Sequence, residues 1–184
     1  MKGFAVLVLG LALTGCATMQ PGSPQAMADL KNAKGEAVGT ASFWEDASGV
    51  RVRAQLRGLS PGKHGFHIHA VGKCDPPDFM SAGGHFNPGG KKHGFKSQAG
   101  AHAGDLPNLE AGADGTASFD YVTQAVTLRA GPTSLFDADG SALVIHANPD
   151  DEVTDPTGNS GGRVACGVVR KAVASAGYSG SASY

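Results

Sequence analysis

Apolar and polar residues alternate with a period of two along several segments of this chain, which is the pattern of half-buried β-strands. In GVRVRAQLRGL, Val50 and Val52 share one face with further apolar residues, whereas Arg51 and Arg53 share the opposite face. EAVGTASFWED precedes this segment through the turn-like EDASGV, and HGFHIHAV, TASFDYVTQAV, SALVIHA and GRVACGVV follow it. Without a long helical period, the pattern predicts an all-β domain, a Greek-key sandwich or barrel.

The stretch from Gly72 to Gly115 interrupts this pattern, because it contains no convincing strand or helix. A structureless segment of this length is unusual inside a compact domain. This stretch contains several residues that can bind a metal ion or form a disulfide, among them Cys74, His85, His93, His102 and Asp105. We therefore expect a disulfide and a metal ion to hold this long loop in place.

Composition and charge narrow the class of protein. The 28 glycines and 10 prolines among 184 residues favour a loop-rich β protein. A hydrophobic content of 41% argues against both a disordered chain and a multi-span membrane protein. The formal net charge is −1, and the absence of a Lys/Arg-rich run argues against a nucleic-acid partner.

The N-terminal residues have the features of an export signal. Lys2 is followed by the apolar run GFAVLVLGLALTGC, which is too short to span a bilayer as a stable helix. Its end, LTGC, resembles a bacterial lipobox, which implies removal of residues 1–15 and attachment of lipid to Cys16. The alternative is an ordinary secretory signal with a chance cysteine. Both interpretations predict an exported protein.

The two ends of the chain differ in composition from its centre. Residues 16–28 are rich in Pro, Gly, Ser, Gln and Met and predict a flexible tether after the lipidated cysteine. Residues 172–184 are rich in Ser, Gly and Ala and predict a disordered tail, which leaves the domain at 29–171. Ala17 is not the aspartate linked to inner-membrane retention, so a periplasmic location on the outer membrane is favoured.

Three cysteines are present in the sequence. If Cys16 is lipidated, Cys74 and Cys166 remain as an even pair, which in an exported protein favours a disulfide. Two free thiols or a thiolate metal site are the alternatives, although so wide a separation matches no zinc-ribbon spacing.

Histidines provide the candidate chemistry. Residues two apart in a strand share a face, so His67 and His69 of HGFHIHAV can reach one ion. His64 has the parity of Phe66 and Ile68, and we expect it to face away as a buried, hydrogen-bonded structural residue. An isolated H-x-H pair is weak evidence, because most such pairs are ordinary polar positions.

The loop adds a second set of candidate ligands. His85, His93, His102 and Asp105 have the spacing H-x7-H-x8-H-x2-D, and three nitrogens with one carboxylate suit four-coordinate zinc. A polar surface loop is the alternative, which the clustering of histidines disfavours. His146 ends a further apolar strand candidate.

These motifs together resemble the copper/zinc superoxide dismutase family, in its bacterial exported type. GFHIH, AGGHFNP, GDL, VIHA and GGRVACGVV occur in the family's order and at nearly its spacing, over roughly residues 30–170. The resemblance implies disproportionation of superoxide to O₂ and H₂O₂ by Cu(II)/Cu(I) cycling, with one copper and one zinc per chain. It also implies protection of the cell envelope from exogenous superoxide.

The resemblance assigns roles to individual residues. The implied ligands are His67, His69, His85 and His146 for copper, and His85, His93, His102 and Asp105 for zinc. On this assignment His85 bridges the two metals and carries a proton during catalysis.

The resemblance further implies a disulfide between Cys74 and Cys166, a guiding role for Arg163 toward the anion, and a link from Asp150 to His67 and His93. As alternatives, Arg163 is a surface strand charge and Asp150 a turn residue. Three lysines, Lys91, Lys92 and Lys96, are interpreted as solvated loop charges.

Two other functions stay open at this point. One is a non-enzymatic copper-binding or copper-delivery protein on the same fold, since a fold does not establish an activity. The other is a structural β domain on a lipid anchor, with one zinc ion in its loop. The sequence does not fix the oligomeric state, and a homodimer is compatible with it.

Overall fold

The computed structural model describes residues 22–172, so the predicted signal, Cys16 and residues 173–184 lie outside the described part. Within residues 22–172 the chain forms ten strands and one short 3₁₀ helix. The strands are β1 Ala26–Asn32, β2 Ala37–Asp46, β3 Gly49–Leu56, β4 Gly62–His64, β5 Phe66–His69, β6 Leu109–Ala111, β7 Ala117–Thr123, β8 Ala142–His146, β9 Arg163–Val168 and β10 Arg170–Lys171; the helix is Met80–Ala82. No helix in this range has the length and apolar character needed to cross a membrane.

Eight of the strands form one antiparallel sheet, which curls into a half-barrel. The order along it is β5-β8-β9-β1-β2-β3-β7, with β10 paired to β1, while β4 and β6 form a separate pair. Neighbours such as β9 and β1 are distant in sequence, as Greek-key crossovers require. The all-β prediction is confirmed.

The alternation in β3 has the predicted orientation. Val50 and Val52 are fully buried, with Ala54 and Leu56 on the same inner face. On the outer face, Arg51 Nε and Arg53 Nε lie 2.8 and 2.9 Å from the two carboxylate oxygens of Asp120 on β7. These side chains are about two-fifths exposed, so the ion pairs add little stability beside the buried apolar face.

The domain begins earlier than its composition predicts. β1 starts at Ala26, inside the segment 16–28 that was assigned to a tether. Ala26, Ala28 and Leu30 are buried, while the residues between them face outward. The alternation is faint in the sequence because two of these three inward side chains are alanines. At the other end, Ala172 of the predicted tail donates its N–H to the Gln25 carbonyl at 2.9 Å.

HGFHIHAV does not form one strand, because the chain divides at Gly65 into β4 and β5. β4 pairs with β6, whereas β5 pairs with β8 in the main sheet. A methyl group at Gly65 would lie 2.7 Å from Ser160 Cβ and 3.1 Å from His67 Cε1, so only glycine fits between them. Parity therefore holds between His67 and His69 but does not extend back to His64.

The long loop from Gly72 to Gly115 is nearly as irregular as predicted. The helix Met80–Ala82 and strand β6 were missed, and each is only three residues long. Cys74 and Cys166 form a disulfide with a Cα–Cα distance of 5.6 Å, which confirms the predicted pair and fastens the loop to β9.

Candidate metal centre

The long loop reaches the sheet along the free edge of β5. Ile68 N–H donates to Gly104 O, and Phe86 N–H donates to Ile68 O, both at 2.8 Å. A methyl group at Gly104 would overlap the Ile68 carbonyl, so the close approach requires glycine. These bonds set two isolated bridges, His69 opposite His85 and His67 opposite Asp105. Backbone pairing thus carries the loop histidines to the strand histidines.

Four histidines converge at this edge, and we call them the first cluster: His67, His69, His85 and His146. One ring nitrogen of each lies within 4.8 Å of those of the others, and all four side chains are buried. The rings of His67 and His85 stack with centroids 4.0 Å apart, and His69 Nε2 lies 3.4 Å from His146 Nε2. Strand β5 supplies two of these rings, the end of β8 one and the loop one.

Hydrogen bonds orient the rings of the first cluster. His67 Nε2 lies 2.7 Å from Asp150 Oδ2, His69 Nδ1 lies 2.9 Å from Gly83 O, and His146 Nδ1 lies 3.2 Å from Gly161 O. Because each acceptor holds the ring proton on its own side, the other nitrogen of each ring presents a lone pair to the centre of the cluster.

Two buried nitrogens test whether this cluster fits a metal. His67 Nδ1 and His85 Nε2 have no hydrogen-bond partner among the described residues. Leaving a buried polar atom unsatisfied costs about 1–3 kcal/mol, so such atoms usually have a partner. Four imidazole nitrogens around one point suit copper, and an ion there would satisfy both atoms.

Burial keeps three histidines of the first cluster, His67, His69 and His146, neutral. It lowers the pKa of His146 to about 3 and that of His67 to about 4, and it holds the pKa of His69 well below the usual value. Neutral imidazoles are the form that binds metal, so these three rings need no proton release at physiological pH.

The second cluster consists of His85, His93, His102 and Asp105. Asp105 Oδ1 lies 2.9 Å from His85 Nδ1, 3.1 Å from His93 Nδ1 and 3.4 Å from His102 Nδ1. The other oxygen, Asp105 Oδ2, points away from these three rings and accepts the backbone N–H groups of Gly94 at 2.9 Å and His102 at 3.0 Å. Three nitrogens and one carboxylate oxygen, all buried, are a donor set for tetrahedral zinc.

The carboxylate of the second cluster is ionised. Burial acts to raise the pKa of Asp105, but hydrogen bonds from His85, His93 and Gly94 outweigh it and hold the pKa well below its ordinary range. A zinc-binding carboxylate needs this charge.

Asp150 lies between the clusters. Its Oδ2 accepts from His67 Nε2, and its Oδ1 lies 2.9 Å from His93 Nε2. Asn108 fixes the backbone of Asp150, since Asn108 Oδ1 accepts Asp150 N–H at 2.7 Å and Asn108 Nδ2 donates to Asp150 O at 2.8 Å. Sequence reasoning missed Asn108, because its whole contribution is to another residue's main chain.

Arg163 is half-buried at the start of β9, opposite His146. Its Nη1 and Nη2 each donate at 2.6 Å, to the carbonyls of Phe79 and Gly83. Both carbonyls belong to the loop that the disulfide fastens. The guanidinium has further N–H groups beyond these two bonds, so it can also meet an anion beside the first cluster.

His64 belongs to neither cluster. It is buried, with Nδ1 2.7 Å from His146 O and Nε2 2.8 Å from Ser60 O. The prediction of a hydrogen-bonded structural residue is confirmed, and the ring supports the backbone of a first-cluster histidine. Lys92 and Lys96 are about two-thirds exposed in ion pairs with Asp155 and Glu152, in keeping with solvated loop charges.

Comparison with known proteins decides the family. The family model of copper/zinc superoxide dismutase matches residues 37–169. The chain belongs to the copper/zinc superoxide dismutase family. Membership brings the activity of an oxidoreductase that acts on superoxide, and copper and zinc as its metals.

Relatives and solved structures agree with this family. Superoxide dismutase [Cu-Zn] 1 of Aquifex aeolicus is 49% identical over 145 residues, covering 78% of this chain and 86% of that protein. Superoxide dismutase-like protein YojM of Bacillus subtilis is 46% identical over 143 residues, covering 76% of this chain and 73% of that protein. The crystal structure of Cu/Zn superoxide dismutase from Brucella abortus has a TM-score of 0.65 at 30% identity, covering 79% of this chain and 99% of that one. The crystal structure of a SOD-like protein from Bacillus subtilis has a TM-score of 0.75 at 45% identity, covering 77% of this chain and 96% of that one.

Proposed function

We propose that this chain disproportionates superoxide at a copper ion in the first cluster, with a zinc ion in the second cluster. The copper ligands would be His67, His69, His85 and His146, and the zinc ligands His85, His93, His102 and Asp105. One observation carries the proposal: His85 belongs to both clusters, with Nδ1 2.9 Å from Asp105 and Nε2 buried without a hydrogen bond among the described residues. Such a ring fits between two ions.

The residues around the first cluster have separate tasks. Copper, when bound, supplies the one-electron redox chemistry, whereas zinc has no accessible redox step and contributes charge and orientation. Arg163 attracts the superoxide anion and holds it beside the first cluster, because its guanidinium is fixed by two carbonyls.

Disproportionation of two superoxide ions to O₂ and H₂O₂ consumes two protons. His85 Nε2 is placed to hold one of them, since it faces the first cluster and makes no hydrogen bond to the described residues. The second cluster keeps the ring in position through Nδ1. Asp150 keeps the His67 proton on Nε2 and so leaves Nδ1 toward the centre.

A non-enzymatic copper-binding protein is the competing function. To decide between them, the purified chain is loaded with copper and zinc, its metal content is measured, and superoxide decay is followed by stopped flow. We expect one equivalent of each metal and catalysed decay. Arg163→Ala should slow the decay about tenfold or more while both metals stay bound, because steering contributes about 10–10³ in encounter rate. Full copper loading without catalysis would establish the competing function instead.

We also propose that the protein is exported, lipidated at Cys16 and anchored in the outer membrane, where it protects the envelope. The lipobox-like LTGC supports this, and the disulfide between Cys74 and Cys166 is typical of an oxidising compartment. In bacteria fed a radiolabelled fatty acid, the wild-type chain should carry label in the outer-membrane fraction, and Cys16→Ala should carry none. Equal labelling of both chains would contradict lipidation at Cys16.

A further inference from the structure

A second acidic residue of the loop 147–162 meets the second cluster. Asp155 Oδ1 accepts the backbone N–H of His93 at 2.9 Å, and Asp155 Oδ2 lies 2.8 Å from Lys92 Nζ. The same Oδ1 lies 3.7 Å from His102 Nε2. No motif in the sequence pointed to Asp155, and the proposed reaction gives it no task.

The outer ring nitrogens of the second cluster explain why this contact matters. His93 Nε2 lies 2.9 Å from Asp150 Oδ1, and His85 Nε2 faces the first cluster. His102 Nε2 makes no hydrogen bond to the described residues, and Asp155 supplies the carboxylate oxygen that approaches it. Asp155 therefore places a carboxylate oxygen beside His102 Nε2, at a longer distance than Asp150 has from His93 Nε2.

The chemistry of a metal-bound histidine favours this pairing. A ring that binds metal through Nδ1 carries its proton on Nε2, and that proton usually goes to a carboxylate or carbonyl. Asp155 Oδ1 has two lone pairs, of which the His93 N–H uses one. The gap of 3.7 Å is too long for a hydrogen bond and too short for a bridging water. A side-chain shift of about 0.8 Å would make the bond direct.

We propose that Asp155 is a positioning residue for the zinc cluster: it accepts the Nε2 proton of His102 and fixes the backbone at His93. This rests on the proposed function, because it takes the second cluster as the zinc site. Partners of this kind typically change metal affinity by 10–100-fold. Loss of the Asp155 charge should therefore weaken zinc binding and alter the geometry around the ion.

Glu152 provides a matched control in the same loop. It carries the same charge and forms a similar ion pair, with Lys96 Nζ 3.0 Å from Glu152 Oε2. Within residues 22–172, its carboxylate makes no hydrogen bond or ion pair with either cluster. Glu152→Gln therefore removes an equal charge and an equal surface pair while leaving the surroundings of His102 unchanged.

The experiment compares wild type, Asp155→Asn, Asp155→Ala and Glu152→Gln. Zinc affinity is measured by competition with a chelator, and Co(II) placed in the second cluster reports its geometry through visible absorption. We expect Asp155→Asn to bind zinc about tenfold more weakly with shifted Co(II) bands, and Asp155→Ala to lose more. Glu152→Gln should keep the wild-type spectrum and stay within about twofold in affinity.

The outcomes separate this inference from the proposed function. Wild type that binds no zinc would overturn the zinc cluster itself. Wild-type zinc binding with equal affinities and spectra in Asp155→Asn and Glu152→Gln would overturn the role of Asp155 alone. Circular dichroism and thermal midpoints of the metal-free variants provide the folding check. Asp155→Asn keeps the shape of the side chain and an acceptor for His93 N–H, so it serves if Asp155→Ala fails to fold.

Discussion

Gly158 offers a sharp test of how the two clusters are joined. Its φ is +62°. A methyl group on Gly158 would overlap Asp150 Oδ1 and would lie 2.6 Å from His93 Nε2. To restore the usual separation of about 3.5 Å, the His93 ring would have to retreat by about 1 Å. The hydrogen bond between Asp150 and His93, now 2.9 Å, would be lost or badly strained.

The cost of Gly158→Ala has two parts. An alanine in the left-handed region costs roughly 1–2 kcal/mol, and displacement of tightly packed buried groups adds about 1–3 kcal/mol. A loss of about 2–5 kcal/mol corresponds to a fall in Tm of roughly 4–20 °C for a domain of this size. Because Asp150 orients ligands of both clusters, we also expect copper and zinc affinities to fall by about 10–100-fold.

Gly162→Ala is the control for this prediction. Gly162 lies in the same loop, its φ is outside the left-handed region, and a methyl group there would meet nothing within 4 Å. Differential scanning calorimetry gives Tm, and chelator competition gives both metal affinities. If Gly158→Ala and Gly162→Ala behave alike in both measurements, the close approach of Gly158 to Asp150 has no energetic consequence, which would refute the prediction.

Three further predictions concern a copper ligand, the pH dependence of stability and the disulfide. His146→Ala should lose most of its copper while retaining about one zinc, and a variant that keeps full copper and activity would remove His146 from the ligand set. Metal-free protein should be most stable near pH 6.5. The pKa of His93 is raised to about 9, so its contribution to stability is lost as pH rises from 6.5 to 9. The pKa values of His67 and His146 are lowered to about 4 and 3, so their contribution is lost as pH falls below 6.5. Thermal midpoints across pH 4–10 that rise steadily in either direction would contradict this. Cys74→Ser should cost about 2–5 kcal/mol in unfolding free energy, since it opens a link across 92 residues to Cys166, and an unchanged urea midpoint would refute it.

Alternation in β2, β3 and β7, and apolar runs in β8 and β9, made most of the sheet predictable from sequence. β2, β3, β7, β8 and β9 lie within the segments predicted as strands. β1 was missed because its inward positions are mostly alanine, whose hydrophobic signal is weak. The break between β4 and β5 at Gly65 depends on Ser160, which approaches from a distant loop, so no local pattern could reveal it.

The candidate ligands could be predicted from the sequence, whereas three of the residues that position them could not. The pair His67 and His69 and the histidines and aspartate of the loop stand out by residue type and by short spacings. Only the family resemblance adds His85 and His146 to the first set, and the structure brings the two sets together as two clusters. Asn108, Asp155 and Gly158 act on those clusters through a backbone bond, a carboxylate 3.7 Å away and the absence of a side chain. Such roles arise only when two loops meet in space, so spacing along the chain carries no trace of them.

The shared ring of His85 has a thermodynamic consequence. If zinc binding fixes this ring in the orientation that the first cluster needs, copper binds to zinc-loaded protein without the entropy cost of ordering it. Linkage then requires reciprocity: any factor by which zinc raises copper affinity is the factor by which copper raises zinc affinity. On that condition the two metals would be heterotropic effectors of one another, and the occupancy of either cluster would depend on the supply of both ions.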